Sequence, residues 1–427
     1  MFGRVRLYNA GFAIFTVGSI ALFFIQGGGD PAAIQLIGFR LVQGVGGAFL
    51  FANSTAILID AFPPNERGMA MGINQVAAIG GSFVGLILGG LLAEVNWRGI
   101  FLISVPFGII GTVWAYLMLH ETSSRRGGQK IDVLGNILFA GGLVLLMVAL
   151  TYGLEPYGAD SMGWRNPWVD GGIIGGLLLL AIFLVVETRV ADPLFRLELF
   201  RIRQFSMGNL ANFLLSLSRG GLMFILIVWL QGIWLPLHGY SFEETPLWAA
   251  IYMLPLTAGF LVLGPISGYL SDRLGARGLA TAGAVIGAVS FIGLLRLPVD
   301  FSYGLFAVLI FIAGAGLGMF SAPNTTALMN SVPPHDRGVA SGMNATTSNV
   351  ASTLSITVIF SLVTIGLAAQ LPHALEHGLT AAGIPTDVAL QVASLPPTGA
   401  LFAAFLGYNP MGTLLPPDVL AALPGAT

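Results

Sequence analysis

Two arginines stand inside otherwise apolar stretches, and each needs something to stabilise it. Arg219 follows Asn209, Asn212 and Ser216 at steps of three, four and three, a spacing that puts all four on one helix face. Holding an arginine near mid-bilayer costs roughly 2.5–3.5 kcal/mol on insertion scales, so this face should line a cavity or meet a partner. Arg219 is placed to attract an anionic group or to pair with an acid. Asn324, Thr325, Asn344 and Ser348 are further cavity candidates, although polar groups in membrane helices also simply join neighbours. Arg40 opens a second run, Arg40-Leu-Val-Gln43-Gly44-Val-Gly46-Gly47-Ala48. It lies about two helical turns inside its apolar stretch. It should therefore face a cavity or a partner, or snorkel to the nearer surface. The glycines beside it would let another helix pack closely.

Two more patterns can do mechanical work. In Gly81-Ser-Phe-Val-Gly85-Leu-Ile-Leu-Gly89-Gly90 the glycines four apart share a face, a smooth groove for tight packing or sliding. The run Gly268-Tyr-Leu-Ser-Asp272-Arg273-Leu-Gly275-Ala-Arg277 puts an acid and bases at the end of an apolar segment. That suits ion pairs that form in one conformation and break in another. A related run, Phe2-Gly3-Arg4-Val-Arg6, opens the chain. By contrast, His373-Ala-Leu-Glu376-His377 fits a zinc-peptidase signature only in letters. It lies in a short tail with no domain to supply a third ligand, so no metal is expected. No Gly-Lys-Ser/Thr phosphate loop occurs, which argues against ATP as a driving force.

The elements that position these residues follow from composition and repetition. Of 427 residues, 55% are hydrophobic and 9% charged, against roughly 25% charged in soluble domains. Too little polar surface exists to cover a soluble molecule, so the chain is an integral membrane protein. A net charge of −2 argues against nucleic acid as a partner, and the absence of cysteine excludes disulfides and thiolate metal sites. A span needs about 20 mainly apolar residues, which predicts eleven: 8–26, 34–59, 69–93, 99–119, 132–153, 169–188, 206–231, 247–270, 278–296, 302–328 and 339–368. They must be helices, because they are long and lack the strict alternation of barrel strands.

One stretch occurs twice. Phe62–Asn74, FPPNERGMAMGIN, matches Val332–Asn344, VPPHDRGVASGMN, at seven of thirteen positions, including Arg67 with Arg337. Thirteen of the 18 basic side chains fall on the same side as the N-terminus, which makes that side cytoplasmic. Both copies of the repeat lie there, so the halves are parallel and related by an axis along the membrane normal. This gives residues 1–119 as an N-terminal half, 120–204 as an inserted two-helix linker, 205–368 as a C-terminal half and 369–427 as an extracytoplasmic tail.

With these motifs in place the chain resembles the major facilitator superfamily, and within it the fourteen-span drug/proton antiporters. The interface loop pattern is met by Gly268, Asp272, Arg273, Gly275 and Arg277, and its first-half copy by Gly3 and Arg4. The fourth-helix pattern is met by Arg40, Gln43, Gly44, Gly46, Gly47 and Ala48, and the fifth-helix antiporter pattern by Gly81, Gly85, Gly89 and Gly90. The family proline of that last pattern is Leu86 here. The resemblance implies a major facilitator fold of two parallel helical bundles, with the family's first two spans and its last one not represented. Further, it implies a central cavity lined by Asn212, Ser216, Arg219, Asn324 and Asn344, and a cytoplasmic gate of Gly3, Arg4, Arg67, Gly268, Asp272, Arg273, Gly275, Arg277 and Arg337. Arg40, Gln43, Gly44 and Gly47 would couple protonation to movement.

The expected function is secondary transport: proton-coupled efflux of hydrophobic or amphipathic compounds by alternating access. No cofactor is expected beyond a proton gradient, and the chain is not read as an enzyme. Its partners would be a small-molecule substrate and the lipid bilayer, with the protein monomeric in the plasma membrane. Two other readings stand beside this one. One is an exporter of a defined metabolite, lipid or siderophore on the same fold; the other is a truncated, transport-incompetent membrane protein. None of the twenty acidic residues lies deep in a span, whereas proton coupling calls for a titratable group in the membrane. In related proteins an acid on the first helix often fills that role.

Overall fold

The computed structural model describes residues 3–27, 29–96, 98–120, 132–155, 157–158, 162–190, 193, 195–381 and 385–393. Among them, eleven helical stretches are long and apolar enough to cross a membrane, one for each predicted span and in the same order. They are α1 (Arg4–Phe23), α2 (Gly29–Ala61), α3 (Arg67–Asn96), α4 with α5 (Gly99–Leu102, Ser104–Met118), α6 (Val133–Tyr152) and α7 (Pro167–Glu187). There follow α8 (Arg203–Trp229), which runs through a wide turn at Leu230–Trp234 into α9 (Leu235–Leu237), and α10 with α11 (Thr245–Tyr252, Leu254–Leu274). The last are α12 (Ala276–Leu294), α13 (Tyr303–Asn330) and α14 (Arg337–Ala381), with a short α15 (Thr386–Ala393) beyond.

Local chemistry explains where several helices begin. Asp132 caps α6 by accepting from Gly135 N at 2.8 Å, and Asn166 caps α7 by accepting from Trp168 N at 3.0 Å. Pro167 then occupies the first turn of α7, where its missing N–H costs nothing. Gly3 and Gly275, matched by the loop motif, have nearly the same backbone: φ 86° with ψ 140°, and φ 86° with ψ 149°. Only glycine enters that region without strain, so the motif's glycine is a conformational requirement at both places.

The segment after residue 368 departs from expectation at its start. Helix α14 does not stop near residue 368 but continues through Pro372 to Ala381. A helix-interior proline gives up one backbone hydrogen bond, and α14 runs on past it. His373, Glu376 and His377 therefore lie on this extension, and the described residues contain no group of three or more potential metal ligands. Gly399–Leu406 lies outside the described residues.

Packing sorts the chain into two compact units that cut across the halves defined by the repeat. The first comprises Met1–Ile131, Leu194–Leu215 and Ala250–Ser348; the second comprises Asp132–Pro193, Ser216–Ala249 and the chain from Asn349. The core of the first unit holds Ile59 and Met71 beside the first of the two repeated loops, here termed hinge loops, and Leu328, Met329, Val332 and Met343 beside the second. Because residues flanking both copies of the repeat share one core, they fall in one unit. In the second unit α6 lies against α7. There Leu154, beyond α6, clusters with Phe224 of α8 and Phe360 of α14. The inserted helix pair thus keeps company with the second half's helices.

Candidate functional site: a reciprocal latch at the hinge loops

The repeated loops are bound to each other's helices. In the first, Arg67 Nε donates to Ile59 O at 3.0 Å and Phe62 O at 3.1 Å, which fixes the side chain against the end of α2. Its Nη1 reaches across to Asn330 Oδ1, at 2.8 Å, on the last residue of α13. In the second loop, Arg337 Nη1 reaches back to Asp60 Oδ1, at 3.4 Å, near the end of α2. Asp60 and Asn330 are themselves related by the 270-residue offset. Each arginine therefore grips the helix end that precedes the other loop. Arg4 completes the second pairing by binding the other oxygen of Asp60.

The loop motif at the end of α11 joins the same assembly. Asp272 accepts from Gly68 N at 2.9 Å and Met69 N at 3.1 Å. These are unpaired donors in the first turn of α3, where a carboxylate also meets the positive end of the helix dipole. Glycine makes the approach possible. A Cβ at Gly68 would press on Gly268 O and lie 2.6 Å from Asp272 Oδ1, and one at Gly72 would lie 2.7 Å from Pro265 Cα. Of the expected gate residues, Gly3, Arg4, Arg67, Gly268, Asp272, Gly275 and Arg337 are placed in or beside this assembly. Arg273 instead stacks over Tyr269, 4.5 Å from the ring centre. Arg277 is exposed.

Arg40 sits at the end of a polar chain. Its Nη1 donates to Gln43 Oε1 at 2.9 Å, Gln43 Nε2 donates to Ser19 Oγ at 2.8 Å, and Ser104 Oγ donates to Ser19 Oγ at 3.0 Å. The guanidinium also lies over Phe101, 4.9 Å from the ring centre, so α1, α2 and the α4–α5 segment are tied together around it. Among the glycines of this run, Gly46 makes the close contact: a Cβ there would lie 2.8 Å from Gly11 O and from Phe15 Cα of α1. Gly44 and Gly47 have open space around them.

Two expectations change. The face of Gly81, Gly85 and Gly89 is not packed, since a Cβ at any of them would meet nothing within 4 Å; the surroundings of Leu86 and Gly90 lie outside the described residues. The repeat supplies the reason. Gly85 and Gly89 correspond to Ser355 and Ile359 of α14, and there α8 fills the space, with Gly220 and Gly221 against Ser355 and Ile359. No described helix takes α8's place beside α3. The other change concerns the cavity residues. In the first unit, Asn212 Nδ2 donates to Asn344 Oδ1 at 2.9 Å and to Ser348 Oγ at 2.7 Å, and Asn324 Nδ2 donates to Gly208 O at 3.1 Å. These three asparagines join helices here. Ser216 and Arg219 belong to the second unit; Ser216 is half-buried and Arg219 exposed.

Helices with these motifs and this paired geometry invite comparison with known transporters, and the Major Facilitator Superfamily profile matches residues 1–356. The chain belongs to that superfamily. Among its relatives is the tetracenomycin C resistance and export protein of Streptomyces glaucescens, 29% identical over 94% of this chain and 72% of the relative. Another is a riboflavin transporter of Clostridioides difficile, 30% identical over 84% of this chain and 73% of the relative. The fold is also that of the human organic anion transporter MFSD10, with TM-score 0.54 at 14% identity, covering 95% of this chain and 77% of that one. The chain is thus a multi-pass membrane protein of a transporter family and fold, whose members are not enzymes.

Sequence reasoning missed Asp60, Asn330, Ser19, Ser104 and Phe101. A signal existed for the first two, since the repeat extends upstream to the Asp60/Asn330 pair. For the serines none existed, because hydroxyls are scattered through nearly every span.

Proposed function

We propose that this protein is a proton-coupled antiporter that exports hydrophobic or amphipathic compounds across the plasma membrane by alternating access. The observation that carries the reading is the reciprocal latch. Arg67 with Asn330 and Arg337 with Asp60 join helices from both repeats. The first contact is exposed and the second lies between side chains only 10% and 17% exposed; each is a single long-range polar contact of the kind that forms in one conformation and breaks in another. The export of tetracenomycin C by a relative supports the direction of transport and the class of cargo. The hinge end is then the cytoplasmic gate, closed when the latch is made. Arg40 would couple protonation to movement by way of the helices that the Gln43–Ser19–Ser104 chain ties together, and Arg219 would touch cargo.

The test uses proteoliposomes with an imposed pH gradient and a fluorescent amphipathic dye. Arg40→Ala should remove gradient-driven export while leaving expression and thermal stability in place. Full gradient-driven export by that variant would end the coupling role. A second reading is favoured by the riboflavin-transporting relative: carriage of one defined polar metabolite. Saturable transport of a single solute with no dye export would select it.

A further inference from the structure

The segment between the inserted helix pair and α8 does more than connect them. Within the first unit, a short tight turn at Leu197–Arg201 carries Leu199, 4% exposed, into the core shared by both hinge loops. Phe195 and Ile202 pack on the same core, so three side chains of one short segment anchor in it. Beside them Arg196 Nη1 lies 2.7 Å from Asp336 Oδ1. Asp336 is buried, and His335 Nε2 lies 3.2 Å from its other carboxylate oxygen. The residue after Asp336 is Arg337, the arginine of the second latch.

Among the described residues no equivalent ion pair holds the first hinge. Glu66 stands where Asp336 does in the repeat, but it is exposed, and among the described residues its side chain has no ion-pair partner. Arg67 is held instead by the carbonyls of Ile59 and Phe62. Two hinges of common origin are thus restrained by different means, and the second depends on a segment from outside the repeat.

We propose that residues 195–202 are a conformational strap: docked, they hold the second hinge in the geometry that lets Arg337 reach Asp60; released, they free that hinge and open the hinge end of the transporter. The strap rests on the alternating-access reading. Its grip is an ion pair with one partly exposed partner plus a few apolar anchors, which is strong enough to bias a two-state equilibrium and weak enough to let go. It gives the inserted helix pair a mechanical role, because that pair is joined to the strap by only a few residues of chain.

The absence of native cysteine permits a direct test on the full chain in lipid nanodiscs. Ser341→Cys is a near-isosteric reporter at a buried position in the first turns of α14. Its labelling rate with a membrane-impermeant maleimide reads opening of the hinge end and needs no substrate. Adding Arg196→Ala should raise that rate at least fivefold. The charge-exchanged Arg196→Asp/Asp336→Arg protein should return it to within twofold of the parent. An unchanged rate in Arg196→Ala, or an exchanged protein that labels as fast as Arg196→Ala, would overturn the strap. A separate Arg196→Cys/Asp336→Cys protein, joined by a short bis-methanethiosulfonate cross-linker that spans the length of the lost side chains, carries the test if the alanine variant folds poorly. Cross-linking should stop solute export and reduction restore it; undiminished export when cross-linked counts against the strap. A parent protein that moves no solute, yet shows the labelling contrast, would sink the transport reading and leave the strap standing.

Discussion

The loops at Phe62–Asn74 and Val332–Asn344 share a sequence and a position before a long helix, yet they are held in place differently. The first ends in a helix start packed backbone to backbone: Gly68 lies against Gly268, and Asp272 fills the free donors of α3. At the second, the nearest neighbour of a Cβ on Gly338 is the flexible arm of Arg4, at 3.4 Å. The first arginine grips a neutral amide, Asn330, and the second a carboxylate, Asp60, that it shares with Arg4. One hinge is thus a tight mechanical joint with a neutral latch; the other is a looser joint with a charged latch and a strap. In such a pair the charged, loosely packed side is where an equilibrium is easiest to shift.

The sharpest way to break this contrast is to add the same methyl group to both joints. Gly68→Ala has backbone and carboxylate in its path, so overpacking should cost about 1–3 kcal/mol and reduce export at least tenfold. Gly338→Ala should be neutral or stabilise by up to ~1 kcal/mol through helix propensity. Thermal unfolding of the purified proteins decides it, and equal losses would end the asymmetry argument. The next effect comes from exchanging the latches. Asp60→Asn removes the carboxylate that Arg337 and Arg4 share, which should lower stability by about 1–3 kcal/mol and increase maleimide labelling at Ser341→Cys. Asn330→Asp gives Arg67 a carboxylate and should gain up to ~1 kcal/mol while slowing transport. A faster cycle in that variant would show that the neutral latch is not a matter of speed.

A smaller loss should follow Asp272→Asn. The amide keeps one acceptor for Gly68 N but gives up the negative charge at the start of α3, a difference of about 0.3–1 kcal/mol. Chemical denaturation at low and high salt should show the difference shrinking as salt rises. The smallest effect is expected from Arg277→Ala. Although this arginine belongs to the loop motif, it is exposed, so export should stay within twofold of the parent. A large loss there would move the gate outward to residues that the latch does not include.

Much of this was legible in the sequence. The eleven spans were readable because twenty apolar residues in a row have only one way to satisfy their backbone in lipid. Both latch arginines were readable because the repeat marks them. Asp60 and Asn330 lay two residues beyond the matched stretch, and a reading confined to identical letters passes over them. The roles of Asn212, Asn324 and Asn344 were not legible. A polar residue on a helix face is equally suited to water, cargo or another helix, and only the neighbour's position chooses among them. The glycine run Gly81–Gly89 is the opposite case, where the pattern is plain but what it faces is not written in it.

By itself the sequence determined the membrane class, the number and order of the helices, the two-fold repetition and the glycine backbone at Gly3 and Gly275. Each of these follows from short-range chemistry or from a residue's own conformational limits. The tertiary structure alone decided which partner each arginine holds, that Asp272 caps a helix some 200 residues earlier in the chain, and that Arg196, from a segment outside the repeat, pairs with Asp336 of the second hinge. Those are long-range contacts between weak, interchangeable groups. Many pairings are chemically acceptable for such groups, and only the packing of the helices that carry them brings one pair within reach.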